Sequence, residues 1–299
     1  MKTSFSIDFL LESHYPGLMA KLEAIIRESE QAYCKNPQAN GESFLWEHTT
    51  QVAAMAMKLA AEEGQPPLLP MIAALFHDCG KFDCGCYHED DTPEEEHSAR
   101  QAMRLLAEAG MPEPEVERVA AGLKALYSDE IADNDLTAIV HDADFLVKSG
   151  PMGIAGFFTK AALRGRSLSQ SILQCLSKEL TYAFHLPANM RTGAGKAMAT
   201  SKGEYTFSFF KALLQDLQDS NIAEYNIREF KVPIDDSDTA PIPIILVTPP
   251  PCPHCGEEFK QEFSFRKEIK CTKLVADLIC RCDNPVEISF CLPEIYLGG

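Results

Sequence analysis

A histidine followed directly by an aspartate, His77-Asp78, closes the apolar run from Met71 to Phe76; an isolated His48 lies upstream and Asp144 downstream. Neutral imidazole nitrogens and carboxylate oxygens together suit a borderline divalent cation. A charged Asp at the end of a buried helix would otherwise carry an uncompensated desolvation cost, which a bound metal removes. The residues therefore point first to metal chemistry.

The elements that must position these groups read as helices. His48 falls in the first turns of a helix over 45–60, whose Val52, Met55, Met57 and Leu59 give an apolar face at helical spacing. After the Gly64-Gln-Pro-Pro67 break, residues 68–76 are apolar on nearly all sides, which predicts a central helix with His77-Asp78 at its C-terminal end and Gly80 as the stop signal. Asp144 belongs to a helix over 136–148 with Ile139, Val140, Ala143 and Leu146 as its buried stripe. Four ligands on three helices make a bundle-core metal site. Asp142 competes for the role of Asp144, because side chains at i and i+2 do not share a helix face.

His48, the His77-Asp78 of "ALFHDCGK" and the Asp144 of "AIVHDADFLVKSGPMGIAGFF" resemble the HD-domain superfamily of metal-dependent phosphohydrolases. "LPANMRTGAGKAMA" at 186–199 resembles a later stretch of the bacterial branch, so the likeness covers about residues 40–218. The resemblance implies a mainly α chain built on an HD-type helical bundle. It also implies a metal set of His48, His77, Asp78 and Asp144, and alignment on the Ala-Asp pair favours Asp144 over Asp142. Many family members carry a further His where His97 stands, and two-metal members add another at the end of the following helix. The window Lys124–Ser128 contains none, which favours a single ion. Phe145 and Val147 stand where the family has an Arg and a second Asp.

The activity so implied is metal-dependent hydrolysis of a phosphate ester or nucleotide by a metal-activated water, with Mn, Fe, Ni or a similar ion in the helical site. Asp78, Lys81 and His97 are the candidate catalytic residues, Lys81 as the cation nearest in sequence for a phosphate. Arg164, Arg166, Arg191, Lys196 and Lys202 are further anion-binding candidates. Two rival readings are an HD-fold diiron oxygenase, which needs a fuller ligand set, and a non-catalytic regulatory or binding protein.

Composition narrows the classes. The 299 residues suffice for one large helical domain with a small accessory module, and the hydrophobic content of 45% with 24% charged is that of an ordinary water-soluble protein. A formal net charge of −17 repels polyanions and argues against general nucleic-acid binding, while leaving room for a small phosphorylated substrate beside a cation. The acidic run 89–96 reads as a solvated loop. No apolar stretch is long enough for a membrane span. Asp8 stands where an export signal needs an apolar core, so the cytoplasm is the expected location.

Eleven cysteines in such a chain read as metal ligands or buried thiols before disulfides. Pro251-Cys-Pro-His-Cys-Gly256 is a zinc-knuckle pattern, in which Cys252 and Cys255 grip one ion over a glycine turn. Cys280 and Cys282 return after about two dozen residues to complete tetrahedral thiolate coordination of a structural zinc, with Cys271 and Cys291 in reserve. Strand-like runs at 242–248, 260–265 and 286–290 fit a small β ribbon. Residues 241–299 hold eight acidic against six basic side chains, so a protein or homo-oligomer contact suits this module better than DNA. A second group, Cys79, Cys84, Cys86 and His88, follows the His-Asp pair, as incidental thiols or as a weak second metal or redox loop. The organisation expected is a helical extension over 1–40, the HD-type domain over 41–220, a linker with extended segments over 221–250 and the zinc-ribbon-like module over 251–299.

Overall fold

The computed structural model describes residues 7–33, 43–82, 92–126, 135–233, 241–252, 254–267, 272–282 and 286–291. Two compact units emerge, Met1–Lys148 with Met190–Met198, and Ser149–Asn189 with the chain from Ala199 onward. The span 41–220, expected as one domain, is therefore shared between the two. Cys84, Cys86, His88, Tyr127 and Cys271 lie outside the described residues, as does the Cys291 side chain.

The first unit is helical: α1 (Ile7–His14), α2 (Leu18–Tyr33), α3 (Phe44–Glu62), α4 (Leu68–Phe76), α5 (Glu94–Glu108), α6 (Glu113–Lys124) and α7 (Asp135–Val147). Lacking a polar face, α4 has nowhere stable to sit except inside, and Pro70 through Phe76 are all buried. It packs on α1, α3, α5, α6 and α7. Ser43 starts α3, its hydroxyl accepting the Trp46 N–H at 3.0 Å. His48, one turn further on, lies near His77 at the end of α4 and Asp144 on α7.

Beyond α4 the chain continues as tight turns through Phe82. Gly80, expected as a helix stop, is not among the glycines of positive φ. Its role is close approach, because a Cβ there would overlap the Ser98 backbone and His97 Cβ on α5. Ser98 fastens the turn: its hydroxyl donates to the His77 carbonyl at 2.9 Å and accepts the Gly80 N–H at 3.0 Å. Cys79 is buried there, its thiol 3.7 Å from the Ser98 carbonyl.

Asp142 is wholly buried on the face of α7 away from Asp144. It accepts the backbone N–H of Arg191 (2.9 Å) and of Thr192 (2.8 Å) and the Thr192 hydroxyl (2.7 Å). Thr192 in turn accepts the Gly195 N–H at 2.9 Å, opening α11 (Gly193–Asp219). A Cβ on Gly195 would overlap the Asp142 carboxylate. The Met-Arg-Thr-Gly-Ala-Gly-Lys stretch is thus a cradle for Asp142.

The second unit holds α8 (Gly150–Leu163), α9 (Leu168–Ser171), a π-helical turn (Ile172–Leu176), α10 (Ser177–Asn189), the part of α11 from Ala199, and five strands. Ser167 begins α9 with a capping box closed by Gln170. Strands β1 (Asn226–Val232) and β2 (Ile242–Thr248) form an antiparallel hairpin; β3 (Lys260–Lys267), β4 (Thr272–Ile279) and β5 (Val286–Cys291) form an antiparallel sheet in that order. β2 is buried on both faces. Ile242, Ile244 and Leu246 pack with Leu274, Leu278 and Phe290 of the sheet, whereas Ile245 and Val247 pack with Phe157, Leu176 and Phe210 of the helical layer. The segment expected as a linker is therefore the middle of three layers.

Two substitutions test these anchors. Gly80→Ala is expected to lower unfolding free energy by about 1–3 kcal/mol through overpacking against α5. Asp142→Ala, which strands two N–H groups and a hydroxyl, should lower it by on the order of 3 kcal/mol. Urea denaturation checks both, and an unchanged midpoint in either variant would remove the anchoring role assigned to that residue.

Candidate metal centre

His48, His77, Asp78 and Asp144 meet inside the first unit, from α3, the turn after α4, and α7. His48 Nε2 lies 3.1 Å from Asp144 Oδ1 and 3.9 Å from Asp78 Oδ2. His77 Nε2 lies 3.5 Å from Asp78 Oδ2 and 3.8 Å from Asp144 Oδ1. Donors bound to one cation at about 2.1 Å are separated by about 3.0 Å when adjacent and about 4.2 Å when opposite. All four distances fall inside that range; His48, His77 and Asp78 lie mutually within 4.8 Å, and Asp144 joins them through the two imidazoles.

The tautomer of His77 makes the case sharper. Its Nδ1 sits 2.7 Å from the Ala74 carbonyl oxygen, which can only accept, so Nδ1 carries the proton. Nε2 of the neutral ring is then a bare lone pair. It is buried without a hydrogen-bond partner and faces two carboxylate oxygens. Three electron-rich atoms converging in a buried site repel one another, and Lys81 at Asp78 Oδ2 offsets only part of that, which a cation among them would remove. The donor set, hard carboxylate with borderline imidazole, fits a divalent transition ion.

Electrostatics prepare the groups in their ligand forms. Burial alone would raise the Asp78 carboxyl, but the Lys81 ammonium, with the His77 and His48 rings beside it, outweighs that and holds it well below the usual carboxylate range. Asp144 is also penalised by burial, yet Lys148 and the hydrogen bond from His48 hold it well below that range. Burial pushes His48 down toward the neutral ring, against the opposing pull of Asp144.

Lys81 Nζ lies 3.1 Å from Asp78 Oδ2. His97, half-buried on α5, reaches the turn through its Cβ beside Gly80, and its Nδ1 receives Arg100 at 3.1 Å. Among the described residues it does not join the converging donors. Of the other cations considered, Arg191 donates to the Leu126 carbonyl, Arg166 to Cys175 Sγ and Lys202 to the Ser149 carbonyl. Sequence reasoning overlooked Lys148, whose Nζ is 2.6 Å from Asp144 Oδ2; the spacing of four residues on one helix was the available signal.

The second unit has its own donor cluster. One sulfur each from Cys252, Cys255, Cys280 and Cys282 lies within 4.8 Å of the others, and Cys252 and Cys280 are 3.5 Å apart. Zn–S bonds of about 2.3 Å in a tetrahedron place sulfurs about 3.8 Å apart. Gly256 takes φ +71° beneath the knuckle, and its N–H donates to the Cys252 carbonyl at 2.7 Å. The N–H groups of His254 and Cys255 draw the Cys252 thiol down to about 6, while hydrogen bonding to Cys255 pushes Cys282 up to about 12. Four crowded thiols resist joint ionisation, which a dication relieves.

Residues 45–146 match the model of the HD domain. No curated protein matches the chain. Solved structures similar to the chain include the following three. A predicted HD superfamily hydrolase from an uncultured Thermotogales bacterium is 21% identical, over 66% of this chain and 91% of the other, with a TM-score of 0.46. Bacillus subtilis YpgQ is 18% identical over 69% and 95%, with a TM-score of 0.49. An HD-superfamily hydrolase from Bacillus thuringiensis is 22% identical over 67% and 98%, with a TM-score of 0.45. The segment that matches the HD-domain model contains His48, His77, Asp78 and Asp144.

Proposed function

We propose that the HD domain binds one divalent transition ion (Mn, Fe, Ni or similar) through His48, His77, Asp78 and Asp144 and hydrolyses a small phosphate ester or nucleotide. The single observation that carries this reading is the buried, unpartnered His77 Nε2 facing two carboxylates. Bound there, the ion supplies Lewis acidity toward water and toward a phosphoryl oxygen. The chain's own residues do the rest. Asp78 holds the ion, with Lys81 beside it to meet the negative charge of a phosphate. His97, one residue before the Ser98 anchor, is the candidate to contact substrate. The four-donor set supports one ion rather than a diiron pair.

In the second unit the four cysteines close a coordination sphere and suit a structural zinc. None of the described side chains of β3 is buried, so a sheet edge with little core of its own depends on a tie at its end. A protein or homo-oligomer contact through this module and a cytoplasmic location complete the proposal. No helix among the described residues is long and apolar enough to cross a membrane.

His77→Ala is expected to abolish metal binding and hydrolysis together while far-UV circular dichroism retains its helical signal. Plasma emission spectrometry and a panel of nucleotides and aryl phosphates provide the readout; wild-type activity in metal-free buffer would defeat the assignment.

For the cysteine site, Cys252→Ser should reduce zinc content by about one equivalent and open residues 251–291 to protease. Identical digestion patterns for variant and wild type would show that no zinc ties this segment.

A further inference from the structure

Asp144 is fully buried, and its two oxygens have different surroundings. Oδ1 faces the imidazoles, 3.1 Å from His48 Nε2 and 3.8 Å from His77 Nε2. Oδ2 is taken by Lys148 at 2.6 Å. Asp78 lacks this division, because its Oδ2 serves His48, His77 and Lys81 alike. A carboxylate turns easily about its last torsion, which is broad and nearly two-fold. Left to itself, Asp144 could present either oxygen or an intermediate angle to the imidazoles. A short charge-assisted hydrogen bond to one oxygen removes that freedom.

Lys148 is placed for this task. It follows Asp144 by four residues, so its stem returns along the same face of α7. The side chain is 43% exposed, with its ammonium 5.6 Å from the centre of the Phe145 ring. The ring and the carboxylate together hold the ammonium over α7.

We propose that Lys148 is a positioning residue for the metal centre: by holding Oδ2 it fixes Asp144 with Oδ1 toward the ion. The proposal rests on the metal-binding reading above. A plain charge effect predicts the opposite sign, since an ammonium beside the site repels a divalent cation and its removal would tighten binding.

Titration calorimetry of the full chain with Mn2+ decides between them. Wild-type protein that binds none of Mn2+, Fe2+ and Ni2+ at the centre removes the metal-binding reading and this proposal with it; otherwise the ion bound most tightly by wild type is used for the variants in place of Mn2+. Given wild-type binding, Lys148→Met is expected to raise the Mn2+ dissociation constant about ten-fold, the size typical of losing a group that orients a ligand. Lys148→Arg, which keeps a charged donor, should restore it to within a few-fold. The thermal midpoint of both variants should stay near wild type, because the side chain is half exposed. Lys148→Gln provides a neutral amide donor should the Met variant fold poorly, and it should fall between Met and Arg. Binding by Lys148→Met as tight as wild type or tighter would overturn the proposal, as would failure of Lys148→Arg to recover affinity.

Discussion

Two carboxylates and two imidazoles share one small, largely buried volume, and keeping them there is the constraint on which the first unit depends. Each group alone would be costly to bury. The carboxylates and the His77 Nε2 lone pair repel, because the His77 proton is committed to the Ala74 carbonyl and only His48, 3.1 Å from Asp144, is placed to share one. Lys81 and Lys148 offset part of the negative charge from the rim. The remainder is the electrostatic basis for an ion at the centre.

Repulsive groups stay together only on a rigid frame. α4 supplies rigidity by being apolar all round, which leaves it no alternative to the core. The turn carrying His77 and Asp78 is then tied to α5 by the Ser98 hydroxyl, at a closeness only glycine permits at position 80. On α7 a second tie lies opposite the first. Asp142 anchors residues 191–195 on one face while Asp144 points to the imidazoles on the other. One helix thereby carries two buried carboxylates with unrelated tasks.

Much of this was legible from residues alone. The apolar run at 68–76 marked α4 to the residue, because a helix without a polar side has sharp limits in the sequence. The residues pointed to His48 and His77-Asp78 as a donor group, while the choice of Asp144 over Asp142 came from the resemblance to HD domains; the structure brings all four into one buried volume. The task of Asp142 was not legible: two of its partners are backbone N–H groups some fifty positions away, which leave no mark in side-chain type, and the Thr192 hydroxyl beside them gave no sign of which acid it meets. Gly80 misled because glycine after a helix usually signals a left-handed turn, whereas here its value is the missing Cβ. Lys148 escaped notice because a lysine at a helix end is ordinarily a solvated partner of the dipole.

The second unit explains why a segment with linker-like flanks became a central layer. β2 alternates between two cores, so neither of its faces can be polar, and a run of Ile, Leu and Val with no charge satisfies that demand. Its second edge needs covering as well. Ser177, Thr181 and His185 of α10, four residues apart, meet the backbone of Val247, Ile245 and Pro243, two residues apart. The match is metric: four helical residues advance about 6.0 Å and two strand residues about 6.6 Å. A helix face thus takes the place of a neighbouring strand and closes an edge that would otherwise invite pairing with another chain. β3 carries no buried side chain among the described residues, and Lys260 pairs with Ile279 immediately before Cys280. The cysteine cluster stands at that open end of the β3–β4 pair. A zinc bound there would tie the two segments flanking the hairpin, which places the stabilising bond where side-chain burial is least.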